Sequence, residues 1–407
     1  MLIKNNYYNI NFDKDIILPK NNDEYIYKIQ ETLKNLPAFN IIKDQELLKK
    51  TINKVSKFSE GKTVFLVFGT GGSNLSAKAL INILQEKQKT IIEFFDNIDP
   101  INFKNRIQQI DLKSAGFIII SKSGSTPETL SQFGSLIEIF SQKKLLDFLY
   151  KNSLIITEDK PNPLLNIAHS NNCLVLNHED NIGGRYSVFS NVGMVPAILA
   201  GLNVEQIHKG AFEEINKFFQ NEYLYLGQFL RFQNINKKIT NSVLMTYSDA
   251  LFYFGKWYLQ LWAESIGKDN KGITAIHAIG TTDQHSQLQL YLDGPQDKFF
   301  TFFTTNHAHK GFKLHSKTMK DNNIDYLVDK TMGDLMQAEQ KATIDTFKQN
   351  KFSLREINIE EINEFTIGRL MAFSIMETVA TCLYYDVNPF NQPAVEQGKL
   401  LTKKYLS

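Results

Sequence analysis

The sequence GFIIISKSGSTPETL occupies residues 116–130 and contains a buried strand, a hydroxyl-rich turn and the start of a helix in direct succession. The apolar run Phe117–Ile120 is too short for a helix and is typical of a central strand in a parallel sheet. Pro127 and Glu128 suit the first turn of a helix, whose free N–H groups and positive dipole end attract anions. The stretch therefore predicts a strand–turn–helix unit with an anion site at the turn.

The turn itself is rich in hydroxyl groups, since Ser121, Ser123, Ser125 and Thr126 surround Gly124. Hydroxyls next to a helix N-terminus are well suited to bind a phosphate group. The alternative is an ordinary capped turn, because Ser and Thr are also common helix caps. The concentration of hydroxyls around one glycine favours a phosphorylated metabolite as the ligand.

Strands and helices alternate on both sides of this stretch. The predicted strands of the first half are Val64–Phe68, Ile91–Phe95, Phe117–Ile120, Leu154–Thr157 and Leu174–Leu176, and those of the second half are Val243–Tyr247, Ile273–Ile279, Phe299–Thr304 and Phe352–Ile357. Segments of helical length separate these strands. Such alternation predicts an α/β fold with doubly wound, mainly parallel sheets and ligands at the carboxyl ends of the strands.

This pattern predicts a division of the chain into four parts: an N-terminal helical lead-in, two similar α/β domains packed together, and a C-terminal segment. Their predicted bounds are residues 1–60, 61–190, 191–387 and 388–407. Helices outside the alternating units are predicted at Tyr25–Leu36, Leu47–Phe58, Glu205 to about Leu230, and Ala394–Tyr405. No sequence period relates the two halves, so the fold is not a solenoid.

The composition excludes several classes of protein. With 407 residues, 43% of them hydrophobic, the chain can bury large cores. A net charge of +2 with interspersed charges gives no basic stripe, so no nucleic-acid partner is expected. Cys173 and Cys382 lie far apart without CxxC spacing, which argues against disulfides and zinc. No apolar run reaches bilayer length, so we expect a cytoplasmic protein without membrane contact.

A second glycine-rich turn, GTGGSN at residues 69–74, follows the strand that ends at Phe68. Glycines such as Gly72 let backbone N–H groups approach a ligand closely, and Ser73 lies at the predicted helix start. Neither the Walker pattern nor the dinucleotide fingerprint is present. Two such turns on neighbouring strands of one sheet would meet over a single phosphate.

Three further segments contain candidate catalytic residues. Arg185 in GGRYSVFS can donate hydrogen bonds in a planar fork, although an arginine is also a common surface salt-bridge partner. Glu264 in LQLWAESIGK lies in an apolar helix, where partial desolvation would suit a general base; pairing with Lys268 is the alternative. His285 in GTTDQHSQLQ follows the predicted strand ending at Ile279, at the carboxyl edge of the second sheet.

The last candidate segment is VNPFNQPAVEQGK, which brings Gln392 and Lys399 together near the chain end. A disordered tail is the usual expectation there, but the proline and apolar content predicts an ordered segment. His307 and His309 form an HxH pair without a third ligand nearby, so no metal site is predicted.

Taken together, these segments resemble the glucose-6-phosphate isomerase family of dimeric enzymes, which are built from two sugar-isomerase (SIS-type) α/β domains. The resemblance extends over most of the chain and rests on GTGGSN at 69–74, SKSGSTPET at 121–129, GGRYSVFS at 183–190, LQLWAESIGK at 259–268, GTTDQHS at 280–286 and NPFNQPAVEQGK at 388–399. The hydroxyl-rich turn alone is unspecific, because many sugar-phosphate-binding domains have an SxSGxT turn. WAESIGK, DQHS and NQPAVEQGK are far more specific.

The resemblance implies an aldose–ketose isomerase that interconverts glucose 6-phosphate and fructose 6-phosphate in glycolysis and gluconeogenesis. The reaction would pass through ring opening and a cis-enediol(ate) intermediate, with no cofactor and no metal. A related hexose-phosphate isomerase of different substrate range is one alternative. A non-catalytic sugar-phosphate sensor is another, but a sensor has no use for the base and the ring-opening acid that the resemblance implies.

The resemblance also assigns a role to each candidate residue. The substrate-binding residues would be Gly72, Ser73, Ser121, Lys122 through its backbone, Ser123, Thr126 and Gln392. The catalytic residues would be Glu264 as the base between C1 and C2, Arg185 at the enediolate, and His285 and Lys399 in ring opening, with Glu128 as the partner that orients His285. In the family the histidine comes from the other subunit, so an obligate homodimer is implied.

Overall fold

The structure of the 407-residue chain is a computed structural model, and it describes residues 3–8, 22–219 and 239–407. Its strands are β1 (Ile3–Tyr8), β2 (Val64–Phe68), β3 (Ile91–Phe95), β4 (Ala115–Ile120), β5 (Ser153–Thr157), β6 (Leu174–Asn177), β7 (Asn241–Thr246), β8 (Thr274–Ile279), β9 (Lys298–Thr305) and β10 (Leu354–Ile359). The predicted strands of both halves are thus observed, with bounds that differ by at most three residues.

Helices connect these strands. They are α1 (Asn22–Lys34), α2 (Pro37–Asn40), α3 (Gln45–Ser59), α4 (Gly72–Ile83), α5 (Pro100–Gln109), α6 (Pro127–Gln142), α7 (Leu146–Lys151), α8 (Pro163–Ser170), α9 (Asn191–Leu199), α10 (Val204–Phe219), α11 (Phe252–Ile266), α12 (Leu288–Asp293), α13 (Ser316–Asp321), α14 (Met332–Gln349), α15 (Glu364–Tyr384) and α16 (Glu396–Leu406). The helix predicted from Glu205 to about Leu230 is α10, and its predicted end lies outside the described residues.

The first sheet contains five strands in the order β3-β2-β4-β5-β6, and all of them are parallel. Strands β2, β4 and β5 are buried along their whole length, as their continuous apolar sequences require for a sheet covered on both faces. Strands β3 and β4 lie on opposite sides of β2, so the direction in which successive strands are added to the sheet reverses between β2 and β4. In open α/β sheets, ligands bind at this switch point.

The second sheet has the order β1-β10-β9-β7-β8, in which β7 to β10 are parallel. Strand β1 pairs antiparallel with β10 at the edge. The predicted N-terminal helical lead-in, residues 1–60, therefore also contains a strand at Ile3–Tyr8 that was not predicted. The sequence IKNNYY is polar and has no apolar run, and an edge strand needs none, because its pairing is decided by the neighbouring strand. The prediction of doubly wound, mainly parallel sheets is confirmed.

The two sheets share one central core. One face of β2, with Phe65 and Val67, and one face of β9, with Phe299 and Phe303, belong to the same cluster of buried residues. The opposite faces pack against separate outer clusters. The two halves therefore pack together through the helices between the sheets. The division at residues 60, 190 and 387 remains a proposal.

Helix α15 lies in this central core. Among the described residues it is the one helix long and apolar enough to cross a membrane, and 94% of its most apolar window is buried inside the protein. It carries two buried ion pairs, Arg369 with Glu214 at 2.6 Å and Glu377 with Arg355. These features are those of a core helix.

His208 on α10 supplies a test of how the core responds to acid. Its ring is buried, and Nε2 lies 3.0 Å from the Phe189 carbonyl oxygen. Burial lowers the pKa of His208 from 6.5 to about 4, so the unfolded chain takes up a proton here before the native protein does. The contribution of the neutral, buried His208 to the free energy of unfolding is fully present above pH 6.5 and is lost as the pH falls towards 4. Between pH 7.5 and 5.0 we expect it to remove about 2 kcal/mol from the free energy of unfolding.

The measurement is urea denaturation of the native protein and of His208→Gln at both pH values. Glutamine keeps an N–H donor for the Phe189 carbonyl but does not titrate, so the variant should lose less stability on acidification than the native protein. His169→Gln, at an exposed position of α8, is the matched control and should behave like the native protein. Equal losses in His208→Gln and the native protein would contradict the prediction.

Candidate active site

The two predicted ligand turns meet at the switch point of the first sheet. Strands β2 and β4 pair with Phe68 opposite Ile119, so the turns that follow them start side by side. A Cβ atom on Gly69 would lie 3.2 Å from the Ile120 carbonyl oxygen and 3.0 Å from the Ser73 Cβ. Ser73 at the start of α4 therefore lies near the carboxyl end of β4, the strand that Ser121 follows.

The hydroxyl groups of the turn after β4 bond to one another in pairs. Ser121 is buried, and its Oγ lies 2.8 Å from Thr126 Oγ1. Ser123 and Ser125 are exposed, and Ser125 Oγ donates to Ser123 Oγ at 3.0 Å. Although Thr126 directly precedes α6, its hydroxyl does not cap the helix. The hydroxyls and the first N–H groups of α6 are therefore available together to an anion.

Gly124 gives this turn its shape. Its φ of +59° is a conformation that side chains disfavour, and a Cβ there would lie 1.7 Å from Asn162 Oδ1. Asn162 is itself fixed, because its Oδ1 accepts from the Leu165 N–H at 2.8 Å and its Nδ2 donates to the Lys160 carbonyl at 2.9 Å. The start of α8 thus holds the turn in place.

Lys122 presents its backbone to the turn while its side chain is occupied elsewhere. Its Nζ donates to the Asp180 carbonyl at 2.6 Å and lies 3.5 Å from Glu158 Oε1. Within the described parts of the chain, the backbone N–H groups of Lys122 and Ser123 make no hydrogen bond. Two backbone donors are therefore free for a ligand.

A close approach of two glycines joins this region to the Gly-Gly-Arg segment. A Cβ on Gly72 would lie 2.1 Å from the carbonyl carbon of Gly184, so no side chain fits there. Ser187 Oγ also donates to the Gly72 carbonyl at 3.4 Å. Because Gly184 precedes Arg185, this contact sets Arg185 beside the N-terminus of α4.

Arg185 is buried, with 2% of its surface exposed, and its guanidinium is held by several acceptors. Nη1 lies 3.2 Å from Glu264 Oε2 and donates to Gln392 Oε1 at 2.8 Å. Nε donates to Ser265 Oγ at 2.8 Å, and Nη2 donates to the carbonyls of Pro389 and Asn391. The surface salt-bridge alternative is therefore wrong, and the structure brings three predicted residues, Arg185, Glu264 and Gln392, into contact.

Glu264 lies in the last turn of α11, with 35% of its side chain exposed. The side chain is thus partly buried, beside the fully buried Leu261 and Trp262, and its role as a general base remains a prediction. Pairing with Lys268 is not observed, since Lys268 Nζ donates to the Glu264 backbone carbonyl at 2.8 Å. The carboxylate instead faces the guanidinium of Arg185.

The C-terminal segment is ordered as predicted and ends in α16. Its Gln392 contacts Arg185, whereas Lys399 lies on the first turns of α16. Lys399 Nζ pairs with Glu396 Oε1 at 2.7 Å, and 58% of its side chain is exposed. Among the described residues, Lys399 has no hydrogen bond or ion pair with Arg185, Glu264 or Gln392.

His285 likewise has no hydrogen bond or ion pair with this cluster among the described residues. It follows β8, which is the edge strand of the second sheet, and its side chain is exposed. Glu128 lies in the first turn of α6, in the other half of the chain. Throughout the described residues there is no hydrogen bond or ion pair between His285 and Glu128, so the predicted orienting contact does not occur within one chain.

The HxH pair has structural contacts. His307 Nε2 lies 2.6 Å from the Tyr247 carbonyl oxygen, and His309 lies 3.3 Å from Asp334. Among the residues that the structure describes, no group of three or more His, Cys, Asp or Glu side chains is arranged to hold a metal ion.

Three residues of this cluster were not predicted from the sequence. Gln260 Nε2 donates to Glu264 Oε1 at 2.9 Å, and its position four residues earlier on α11 is a spacing at which helical side chains meet. That spacing could have identified it. Ser265 and Tyr186 also contact the Arg185 cluster, but no local pattern distinguishes them from ordinary core residues.

Known proteins are similar to this chain over most of its length. The model of the phosphoglucose isomerase family matches residues 37–407. A probable glucose-6-phosphate isomerase of Methanococcus maripaludis is 33% identical over 364 residues, which cover 87% of this chain and 81% of that protein. The glucose-6-phosphate isomerase of Campylobacter jejuni is 32% identical over 397 residues, which cover 95% and 93%.

A solved structure shares the fold. The crystal structure of a glucose-6-phosphate isomerase from Chlamydia trachomatis superposes with a TM-score of 0.75 at 20% identity, over 89% of this chain and 73% of that one. The predicted sugar-isomerase architecture is thereby confirmed. With a family model that extends from α2 to the last residue, the chain belongs to the phosphoglucose isomerase family.

Proposed function

We propose that this protein is an aldose–ketose isomerase that interconverts glucose 6-phosphate and fructose 6-phosphate. The observation that carries the proposal is the pairing of Glu264 with Arg185 at 3.2 Å, close to a turn with several hydroxyl groups and with two backbone N–H groups that make no hydrogen bond among the described residues. A base, an oxyanion stabiliser and an anchor for a phosphate are the groups that this reaction needs. The names of the relatives support the same substrate pair.

The phosphate group is bound by the two turns at the switch point of the first sheet. Binding energy at the phosphate does not act on the reacting carbons directly, but it fixes their position relative to the base. The proposed ligands are Gly72, Ser73, Ser121, the Lys122 backbone N–H, Ser123 and Thr126. Their support is the convergence of hydroxyls and unbonded N–H groups at one place.

Glu264 is the proposed base that moves a proton between C1 and C2 of the open-chain sugar. A carbon-bound proton next to a carbonyl is removed by a carboxylate only if the resulting oxyanion is stabilised. Arg185 is the proposed stabiliser, since its guanidinium lies within hydrogen-bond distance of the base. Gln392, which contacts the same Nη1, is proposed to contact the substrate as well.

His285 and Lys399 are the proposed residues for ring opening, and Glu128 is the proposed partner that orients His285. Because none of these has a hydrogen bond or ion pair with the Arg185 cluster among the described residues of one chain, the proposal includes a homodimer in which the partner subunit supplies His285. The exposure of His285 at the edge of the second sheet supports this arrangement.

Helix α16 gives independent support for a dimer. It has eleven residues, all of them exposed, and isolated helices of this length are marginal in water. Its apolar side chains include Leu400 at 69% exposure and Tyr405 at 77%. A second copy that covers this apolar surface would stabilise the helix that carries Lys399.

The proposal is tested with purified protein in a coupled assay that consumes one hexose 6-phosphate as it forms from the other. We expect turnover in both directions with a chelator present. Absence of turnover would refute the proposed function. Running the same assay with mannose 6-phosphate and an amino-sugar phosphate distinguishes the substrate range.

Removing the hydroxyls of Ser121 and Thr126 together should mainly weaken substrate binding. Ser121 and Thr126 bond to each other, so Ser121→Ala with Thr126→Ala leaves neither partner unsatisfied. Each hydroxyl is expected to donate to the charged phosphate, and the double variant should raise KM by about 10- to 100-fold with a smaller change in kcat. Steady-state kinetics and the Kd of inorganic phosphate measure this effect.

Ser135→Ala is a matched control on α6, since Ser135 Oγ donates only to the backbone carbonyl of Ser131 in its own helix. This control should leave KM unchanged. An unaltered KM in the double variant would show that the phosphate binds elsewhere.

A further inference from the structure

A chain of three hydrogen bonds runs from the Nε edge of the Arg185 guanidinium to the C-terminal segment. Arg185 Nε lies 2.8 Å from Ser265 Oγ, and Ser265 Oγ lies 2.8 Å from Tyr186 Oη. Tyr186 Oη in turn lies 3.0 Å from the Pro389 carbonyl oxygen. Ser265 has no exposed surface and Tyr186 is buried, so water does not compete for these contacts.

The donor at one end of this series of hydrogen bonds and the acceptor at the other end determine which group donates in each bond. Arginine Nε can only donate and a backbone carbonyl can only accept. Tyr186 must therefore donate to Pro389, which leaves the Ser265 proton for Tyr186 and a Ser265 lone pair for Arg185. Burial raises the pKa of Tyr186 to about 12, so its hydroxyl stays protonated at neutral pH. Each of the three groups thus has one orientation.

These three hydrogen bonds determine which edge of the Arg185 guanidinium is available to a ligand. Nε is engaged by Ser265, and Nη2 is engaged by the backbone carbonyls of Pro389 and Asn391. The contacts of Nη1 are instead made with Glu264 and Gln392, the two side chains proposed to meet substrate. A ligand oxygen can replace them without breaking a backbone contact.

We infer that Ser265 and Tyr186 are positioning residues, which hold Arg185 so that Nη1 alone faces the oxygens of the enediolate. The inference rests on the proposed function, and it adds a role for two residues that do not touch substrate. Tyr186 has a second effect, because its bond to Pro389 ties the segment that carries Gln392 to the guanidinium.

The binding of two phosphorylated ligands distinguishes the positioning of Arg185 from a general effect on folding or on phosphate binding. An aldonate phosphate has a planar carboxylate that resembles the enediolate and requires an aligned guanidinium. A hexitol 6-phosphate binds through its phosphate and neutral hydroxyls and does not. The ratio of the two Kd values, measured by calorimetry, is independent of the fraction of protein that is folded.

In Ser265→Ala we expect the aldonate phosphate to bind about 10- to 100-fold more weakly, while the hexitol phosphate changes by less than about threefold. The kcat should fall by about the same factor by which the Kd of the aldonate phosphate rises, and KM should remain nearly unchanged. Tyr186→Phe removes only the hydroxyl that bonds to Ser265 and Pro389 and keeps the ring beside Arg185, and it should shift the same ratio in the same direction by a few-fold. It serves as the test variant if Ser265→Ala does not fold.

Ser374→Ala is the matched control, because Ser374 is a buried helical serine whose hydroxyl donates to Leu370 of its own helix. It should leave the ligand ratio and the kinetics unchanged. Equal weakening of both ligands, or an unchanged ratio in the folded variants, would overturn the inference. An inactive native protein would refute the proposed function instead, whereas the ligand ratio still reports on Arg185.

Discussion

Glu264→Gln is expected to lower kcat by about 10²- to 10⁴-fold, the usual contribution of a general base. Glutamine has the same shape and keeps an oxygen for Arg185 Nη1, but it cannot take a proton from carbon. The neighbouring Gln260 can rotate its amide to accept from the new N–H group, because its Oε1 has no partner among the described residues. Binding of a hexitol 6-phosphate, measured by calorimetry, should therefore change little.

Glu138→Gln is a control for the charge change, since Glu138 lies on the exposed face of α6 and accepts from Gln142. It should retain full activity. If Glu264→Gln lost ligand binding to the same degree as turnover, Glu264 would have a structural role. If the variant kept more than about a tenth of the native kcat, another group would be the base.

The sequence predicted those parts of the fold in which local pattern and tertiary environment agree. Strands such as Val64–Phe68 and Ser153–Thr157 are buried on both faces, so their apolar runs are continuous and easily recognised. Strand Ile3–Tyr8 escaped prediction because it pairs with a strand more than 300 residues later in the chain, Leu354–Ile359. A polar edge strand leaves little trace in its own sequence.

The site divides in the same way. The hydroxyl turn at Ser121–Thr126 is formed by consecutive residues, so its chemistry is visible in one short stretch. The environment of Arg185 depends on Ser265, 80 residues later, and on Gln392, 207 residues later. Its burial and its contacts with Glu264 and Gln392 therefore could not be derived from local composition.

His285 and Lys399 are a third case, because the described part of a single chain shows no hydrogen bond or ion pair between them and the Arg185 cluster. Their roles were assigned from motifs and remain predictions that depend on a second copy. The apolar surface of α16 and the position of His285 after an edge strand are the structural reasons to expect that copy.

The strongest test of a shared site pairs two inactive variants in one dimer. Glu264→Gln and His285→Ala should each have little activity as homodimers. In the heterodimer, one site lacks both groups, while the other combines Glu264 of the second chain with His285 of the first. Co-expression with two different affinity tags yields this heterodimer, and we expect it to have about half the native activity per dimer.

A matched heterodimer shows whether the recovered activity comes from an active site shared between the subunits or from heterodimer formation in general. Arg185 and Glu264 contact each other within one chain at 3.2 Å, so Glu264→Gln paired with Arg185→Lys damages both sites of the dimer. That heterodimer should remain inactive, because lysine lacks the planar fork that meets Gln392 and the carbonyls of Pro389 and Asn391. An inactive Glu264→Gln/His285→Ala heterodimer, verified by mass spectrometry, would show that His285 does not act across the subunits.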